Sequence, residues 1–325
     1  MVSNTSGDIS GGAADLVLGT MYFGTRTDEA TSFALLDRFV EAGGTTIDTA
    51  NCYAFWLSES GAGGQSEAVL GRWLEQNPGV RSRLIIATKV GQEPRTPGDL
   101  NGPVEGLGAS VIHGELERSR ERLGLELIDV YWAHGEDRAT DLTETVGAMG
   151  ELVAGGVVRR LGVSNHPIWR VERARRIAAD LAVEPWTLLQ PTTSYLSPRP
   201  GARVAGKDHR FGFLTDEGVD YVTEHPEMEV WAYSPLIQGS YDRADRPFPE
   251  EYDHPGSTGR REALARVAGR MQVRPSQVVL AWLLRQRPAI RPIVGVSSLE
   301  QLDSALSAVR LDLDDATMQE LDAPR

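Results

Sequence analysis

The chain is predicted to be an α/β protein: a (β/α)8 TIM barrel, one domain, with long loops on its C-terminal face. Three observations predict this. Short apolar runs alternate with longer amphipathic stretches about eight times over the 325 residues, the pattern of a parallel sheet with helical crossovers. No shift in composition marks a domain boundary. The first apolar run continues as LVLGTMYFGT, which lacks the G-x-G-x-x-G turn of a doubly wound dinucleotide-binding sheet, the runner-up fold. A flexible N-terminal segment is expected at 1–14 and the barrel at 15–325.

The elements follow in order. Strands are expected at 16–21, 45–48, 84–89, 127–134, 157–164, 187–190, 228–234 and 290–295, each an apolar run of strand length. The stretch 29–44 sets Phe33, Leu36 and Val40 at helical spacing and closes on glycines. Helix 66–76 opens on Ser66 in a capping position. Further helices are expected at 111–124, 141–156, 167–181, 260–271, 275–286 and 298–309. The stretches 52–65, 191–214 and 235–259 read as loops. All three follow strands, which places them on the catalytic face of a barrel, and loops of this length are commonly functional.

Composition narrows the function. Hydrophobic residues make up 41% of the chain, enough for a large core. The net charge of -13 and pI of about 5.0 argue against a nucleic-acid partner, which calls for a basic face. One cysteine precludes an internal disulfide and suits a reducing compartment. The opening MVSNTSGDISGGAAD has no basic or apolar leader region, and no apolar run approaches the roughly 20 residues that span a bilayer. A cytoplasmic protein without membrane contact is expected.

Four polar residues then stand out. Asp48, Tyr53, Lys89 and His134 each follow an apolar run. A lone tyrosine, with a pKa of about 10, is a poor acid at neutral pH. A neighbouring ammonium lowers that value. Lys89 supplies the ammonium, Asp48 holds it, and His134 can bond a substrate oxygen or relay a proton. The set can polarise a carbonyl and protonate its oxygen as hydride reaches carbon. It has no nucleophile with a base and no metal-ligand spacing. Singly, Asp48 could be a cap and His134 a structural histidine. Lys89 after five mostly apolar residues must be paired or exposed. Cys52 reads as a structural thiol, and His113 and His166 as non-catalytic.

At these residues the sequence resembles the aldo-keto reductase superfamily. The likeness runs from about Leu16 to Leu321 through LGTMYFG, IDTANCYAFW, SEAVLG, ATKVG, ERLGLELIDVYWAHGED, GVVRRLGVSNH, LLQPTTSY, AYSPL and IVGVSSLEQL, in the family's order. The resemblance implies a barrel binding a nicotinamide cofactor, NADPH with NADH as the alternative. It implies Tyr53 as general acid, supported by Asp48, Lys89 and His134. Ser164, Asn165 and Gln190 would bond the nicotinamide carboxamide, and Tyr233 would stack on its ring. Thr20, Met21 and Asp48 would line the cofactor. Ser234, Leu236, Gln238 and Ser240 would lie by the pyrophosphate, and Gly295, Ser297, Ser298 and Gln301 by the adenosine end.

Residues 293–305 depart from the family pattern because they contain no basic residue to meet a 2′-phosphate. Arg291 and a mobile 241–261 segment with Arg243, Arg246, Arg260 and Arg261 are the other sources of charge. The chain ends soon after its last expected helix, so loops would shape the pocket. Phe55, Trp56 and Trp132 are its candidate walls; Trp132 shares strand parity with His134. A small-molecule carbonyl is the expected substrate, apolar by these aromatics or anionic by Arg199, Arg203, Lys207 and Arg210. The competing function is a catalytically silent cofactor-binding barrel, a redox sensor or auxiliary subunit; the complete four-residue set speaks against it. Oligomeric state is left open by the sequence.

Overall fold

A computed structural model describes residues 11–202 and 212–323. Eight parallel strands close into a barrel in sequence order: β1 (Val17–Gly19), β2 (Thr46–Asp48), β3 (Ile85–Val90), β4 (Ile128–Ala133), β5 (Val158–Ser164), β6 (Trp186–Gln190), β7 (Glu229–Ala232) and β8 (Ile290–Gly295). All eight expected strands are present. They read as continuous apolar runs because both faces are covered, one by the barrel interior and the other by helices.

The helices are α1 (Glu29–Glu41), α2 (Gln65–Gln76), α3 (Ala109–Leu123), α4 (Leu142–Ala154), α5 (Ile168–Leu181), α6 (Asp216–Glu224), α7 (Pro255–Met271), α8 (Pro275–Leu284), α9 (Leu299–Ala308) and α10 (Asp315–Asp322). The main apolar core lies between strands and helices. A second cluster fills the barrel: Val17, Ala87, Val130, Trp132, Leu188, Trp231 and Ile293. No helix among the described residues is long and apolar enough to cross a membrane.

Three expectations change. Ser66 does not cap α2; Gly64 does, at φ 101°. Ser66 sits inside the first turn, fully buried, and its hydroxyl meets those of Thr20 and Thr49, each at 2.8 Å. Helices α6 and α10 lie where no helix was expected. Each buries too few apolar side chains to show a periodicity, Val222 in α6 and Leu321 in α10. Thr215 and Asp314 start them by accepting from Gly218 N–H and Thr317 N–H. The chain therefore continues past α9 into a further helix. Finally, α7 begins at Pro255, so Arg260 and Arg261 belong to a helix, not to a mobile loop.

Candidate active site

Parallel strands end together, so each side chain at a strand's C-terminus is carried to one face. Asp48 ends β2, Lys89 is one residue short of the end of β3, and His134 follows β4. Tyr53 sits on the turn after β2. Lys89 Nζ donates to Asp48 Oδ2 at 2.5 Å, to Tyr53 Oη at 2.6 Å and to the Thr49 carbonyl at 2.7 Å. Its three protons are thus all placed. Tyr53 Oη donates to Asp48 Oδ2 at 3.3 Å. The His134 ring stands edge-on to the Tyr53 ring, centroids 5.7 Å apart, and its Nδ1 lies 3.4 Å from Cys52 Sγ.

The circuit continues across the next three strands. Gln190, at the end of β6, donates from Nε2 to Asp48 Oδ1 at 3.1 Å. The Ser164 hydroxyl, at the end of β5, donates to the Gln190 carbonyl at 2.8 Å. Asn165 Nδ2 donates to the His134 carbonyl at 2.9 Å and to Ser164 Oγ at 3.1 Å. Tyr233, just past β7, donates from Oη to Asn165 Oδ1 at 2.5 Å. Eight residues singled out from sequence therefore form one connected network.

The electrostatics correct one expectation. Tyr53 is held well above the ordinary phenol value, by burial first and then by the Asp48 charge. The Lys89 ammonium does not reverse this because Asp48 neutralises it at contact distance. Burial pushes the Asp48 carboxyl up and the Lys89 ammonium down, each opposed by the other. Burial also raises Cys52 well above a normal thiol, which fits its structural reading.

The remaining expected cofactor residues lie on neighbouring rims. Ser234, Leu236, Gln238 and Ser240 occupy the loop after β7, where Ser234, Ile237, Gln238 and Gly239 all have positive φ. Ser240 Oγ donates to the Ile237 carbonyl at 2.7 Å. Gly295 ends β8, and Ser298 caps α9. Gln301 Oε1 accepts from Ser297 N–H at 2.9 Å. Met21 is partly exposed beyond β1. Thr20 differs from expectation: it is fully buried, and its hydroxyl bonds the Asp48 carbonyl at 3.1 Å and Ser66 Oγ at 2.8 Å. Its hydroxyl braces β1 against β2.

Trp132 is also corrected. It is 0% exposed, packed edge-on Trp231 inside the barrel, so it underlies the site and does not wall it. Phe55 and Trp56 pack edge-on at 5.2 Å, with Phe55 against Cys52 and Tyr53 and Trp56 38% exposed. Arg291 is ruled out as the phosphate cation. It lies at the opposite end of the barrel, donating to the Ala14 carbonyl at 2.7 Å and to Thr46 Oγ1 at 2.9 Å. Arg243 pairs with Asp245, Arg260 covers Tyr195 and Trp282, and Arg261 covers Phe248. Arg199 meets Glu250 at 3.4 Å; Arg203, Lys207 and Arg210 lie outside the described residues. No group of three or more metal-binding side chains occurs among the described residues.

Comparison with known proteins decides the family. The model of the aldo/keto reductase family matches residues 15–324. The chain belongs to the aldo/keto reductase family. It is therefore an NAD(P)H-dependent oxidoreductase. A norsolorinic acid reductase of Emericella nidulans is 28% identical to it, over 94% of this chain and 77% of that one. An aryl-alcohol dehydrogenase of Pestalotiopsis microspora is 27% identical over 90% and 71%. An aldo-keto reductase of Schizosaccharomyces pombe, named for NADP(+), is 28% identical over 92% and 83%.

The donor set of this aldo/keto reductase fits a nicotinamide. A carboxamide both donates and accepts, as do the Ser164 hydroxyl and the amides of Asn165 and Gln190. Tyr233 packs on the barrel's inner cluster, which fixes its ring. Sequence reasoning missed Arg274. It precedes α8 and donates to Glu300 Oε1, in the first turn of α9, at 2.7 Å. A basic side chain thus touches the 293–305 stretch from another helix, a contact that no local motif could signal. Asn51, Glu93 and Glu105 were missed too. They are loop residues without a pattern, and only the fold brings them together beneath Cys52.

Proposed function

We propose that this aldo/keto reductase reduces an apolar aromatic carbonyl with NADPH, and that Tyr53 is the general acid. The observation that carries the reading is the contact of Tyr53 Oη with Lys89 Nζ at 2.6 Å, with Lys89 in turn paired to Asp48. When bound, the reduced nicotinamide supplies the hydride. Burial and the Asp48 charge keep the proton on Tyr53 Oη at neutral pH. Tyr53 delivers that proton to the carbonyl oxygen as negative charge develops there. Lys89, already at bonding distance, stabilises the phenolate left behind, and His134 is placed beside the same ring to bond the substrate oxygen. A positioned acid of this kind contributes roughly 10²–10⁴-fold to rate.

Ser164, Asn165 and Gln190 are assigned to the carboxamide, with Tyr233 against the ring. Ser297, Ser298 and Gln301 are assigned to the adenosine 2′-phosphate, and Arg274, which pairs with Glu300 in the same stretch, is assigned as the guanidinium that joins them. An apolar aromatic substrate is supported by two features. Trp56 and Leu57, 38% and 42% exposed, present apolar surface three and four residues after Tyr53. One relative is named for aryl-alcohol dehydrogenation. The test is to titrate NADPH and NADH by fluorescence quenching, then follow cofactor oxidation with aryl aldehydes, aryl ketones and anionic keto-sugars. Turnover of aryl carbonyls with NADPH supports the reading. Tight binding with no turnover across the panel supports the silent barrel instead.

A further inference from the structure

The turn that carries Tyr53 is gripped from beneath. Asn51, only 1% exposed, donates from Nδ2 to Glu105 Oε1 at 2.9 Å and to Glu115 Oε2 at 3.2 Å. The same Glu105 oxygen accepts from Gly91 N–H at 2.6 Å and Glu93 N–H at 3.3 Å. Gly91 lies two residues beyond Lys89. One carboxylate oxygen therefore joins the turn holding Tyr53 to the exit of the strand holding Lys89. The other side of the turn is closed as well. A Cβ on Gly63 would lie 2.1 Å from the Asn51 carbonyl, and Gly63 N–H donates to Glu93 Oε1 at 2.8 Å. The turn is tied to β3 by its own backbone, Thr49 N–H donating to the Ala87 carbonyl at 2.8 Å and Asn51 N–H to the Lys89 carbonyl at 3.3 Å, and the carboxylate adds a side-chain grip to these bonds.

We propose that Glu105 is a positioning residue of the reductase site, which acts through Asn51 to lock the Tyr53 turn against the Lys89 strand. This rests on the reading of Tyr53 as the acid. Contact between Tyr53 and Lys89 at 2.6 Å tolerates little drift of either backbone. Losing such alignment by about 1 Å costs up to roughly 10²-fold in rate.

The charge of Glu105 changes in the working range. Burial pushes it up to about 7, against the bonds from Asn51 and Gly91 and with the repulsion of Glu115. The groups around it are Glu93 after β3, Glu115 with Arg118 and Arg122 on α3, Glu67 on α2, Tyr131 on β4, and Cys52 and Lys89 at the site. The Glu105 charge raises Cys52.

The test compares Glu105→Ala, Glu105→Gln, Asn51→Ala and the double alanine variant. Glutamine keeps the acceptor oxygen and removes the charge. Glu105→Ala and Asn51→Ala are expected to lower kcat roughly tenfold or more, with NADPH affinity changed by less than about twofold. Their effects should not add, since both break one link. Glu105→Gln should restore most of kcat, because it keeps the oxygen that accepts from Asn51 and Gly91. A readout without turnover comes from Cys52, the single cysteine. Its alkylation should speed up several-fold in Glu105→Ala and Asn51→Ala, and by less in Glu105→Gln. If Glu105→Ala fails to fold, Asn51→Ala probes the link from its other end. Equal losses in the alanine and glutamine variants, additive losses in the double variant, or unchanged Cys52 alkylation would overturn the proposal. A wild type without carbonyl turnover would instead defeat the reading of Tyr53, and the alkylation arm would still decide the clamp.

Discussion

Lys89 is wholly buried, and a buried ammonium persists only when its protons and charge are answered. Asp48, Tyr53 and the Thr49 carbonyl answer them. The pair is consequently asymmetric under mutation. Lys89→Met leaves the Asp48 carboxylate buried without its partner and should destabilise the fold by about 3–5 kcal/mol, where Lys89→Met with Asp48→Leu should recover much of the loss. Urea midpoints of the three proteins check this. The residue scale is also where sequence was most informative. A lysine after an apolar run is conspicuous, and the histidine and aspartate stand at equivalent strand ends. Glu105 gave no such signal, because a glutamate in a polar loop is ordinary until the fold brings Asn51 and Gly91 to it.

The strands were legible because burial on both faces leaves an unbroken apolar run, which needs no knowledge of partners. The helices that failed to show, α6 and α10, bury Val222 and Leu321 on otherwise polar surfaces. Ser66 misled for a related reason. Serine before an apolar stretch signals a cap, but here its hydroxyl is needed by Thr20 and Thr49, and Gly64 turns the chain. Packing within the barrel sets a prediction for β5. A Cβ at Gly162 would lie 2.3 Å from Cε3 of Trp132. Gly162→Ala should therefore cost about 1–3 kcal/mol by overpacking. Gly114 on α3 faces open space, and Gly114→Ala should stabilise by about 0.5–1 kcal/mol. Chemical denaturation of both variants distinguishes the two environments.

Barrel order divides the labour around the rim. The proton-transfer set stands on β2, β3 and β4, and the residues assigned to the cofactor stand on β5, β6, β7 and β8, with Met21 after β1. The two arcs meet where Gln190 bonds Asp48 and where Asn165 bonds the His134 carbonyl. The division follows the strand order read from the sequence, and closure of β8 against β1 brings both arcs onto one rim. The same geometry removes Arg291 from the site, because its bonds to Ala14 and Thr46 lie at the entry ends of the strands. Arg291→Leu should lower stability and leave NADPH affinity within about twofold, whereas Arg274→Leu should weaken NADPH by roughly tenfold and NADH little, as loss of a charged hydrogen bond to a phosphate requires. Fluorescence titration of both cofactors checks the pair. The central claim is that Tyr53 Oη supplies the proton. Steady-state reduction of an aryl ketone by wild type and Tyr53→Phe, with NADPH affinity measured on the same samples, tests it most directly. A fall in kcat of at least roughly 10²-fold with cofactor binding intact is the expected result. A Tyr53→Phe protein that turns over at the wild-type rate would contradict it.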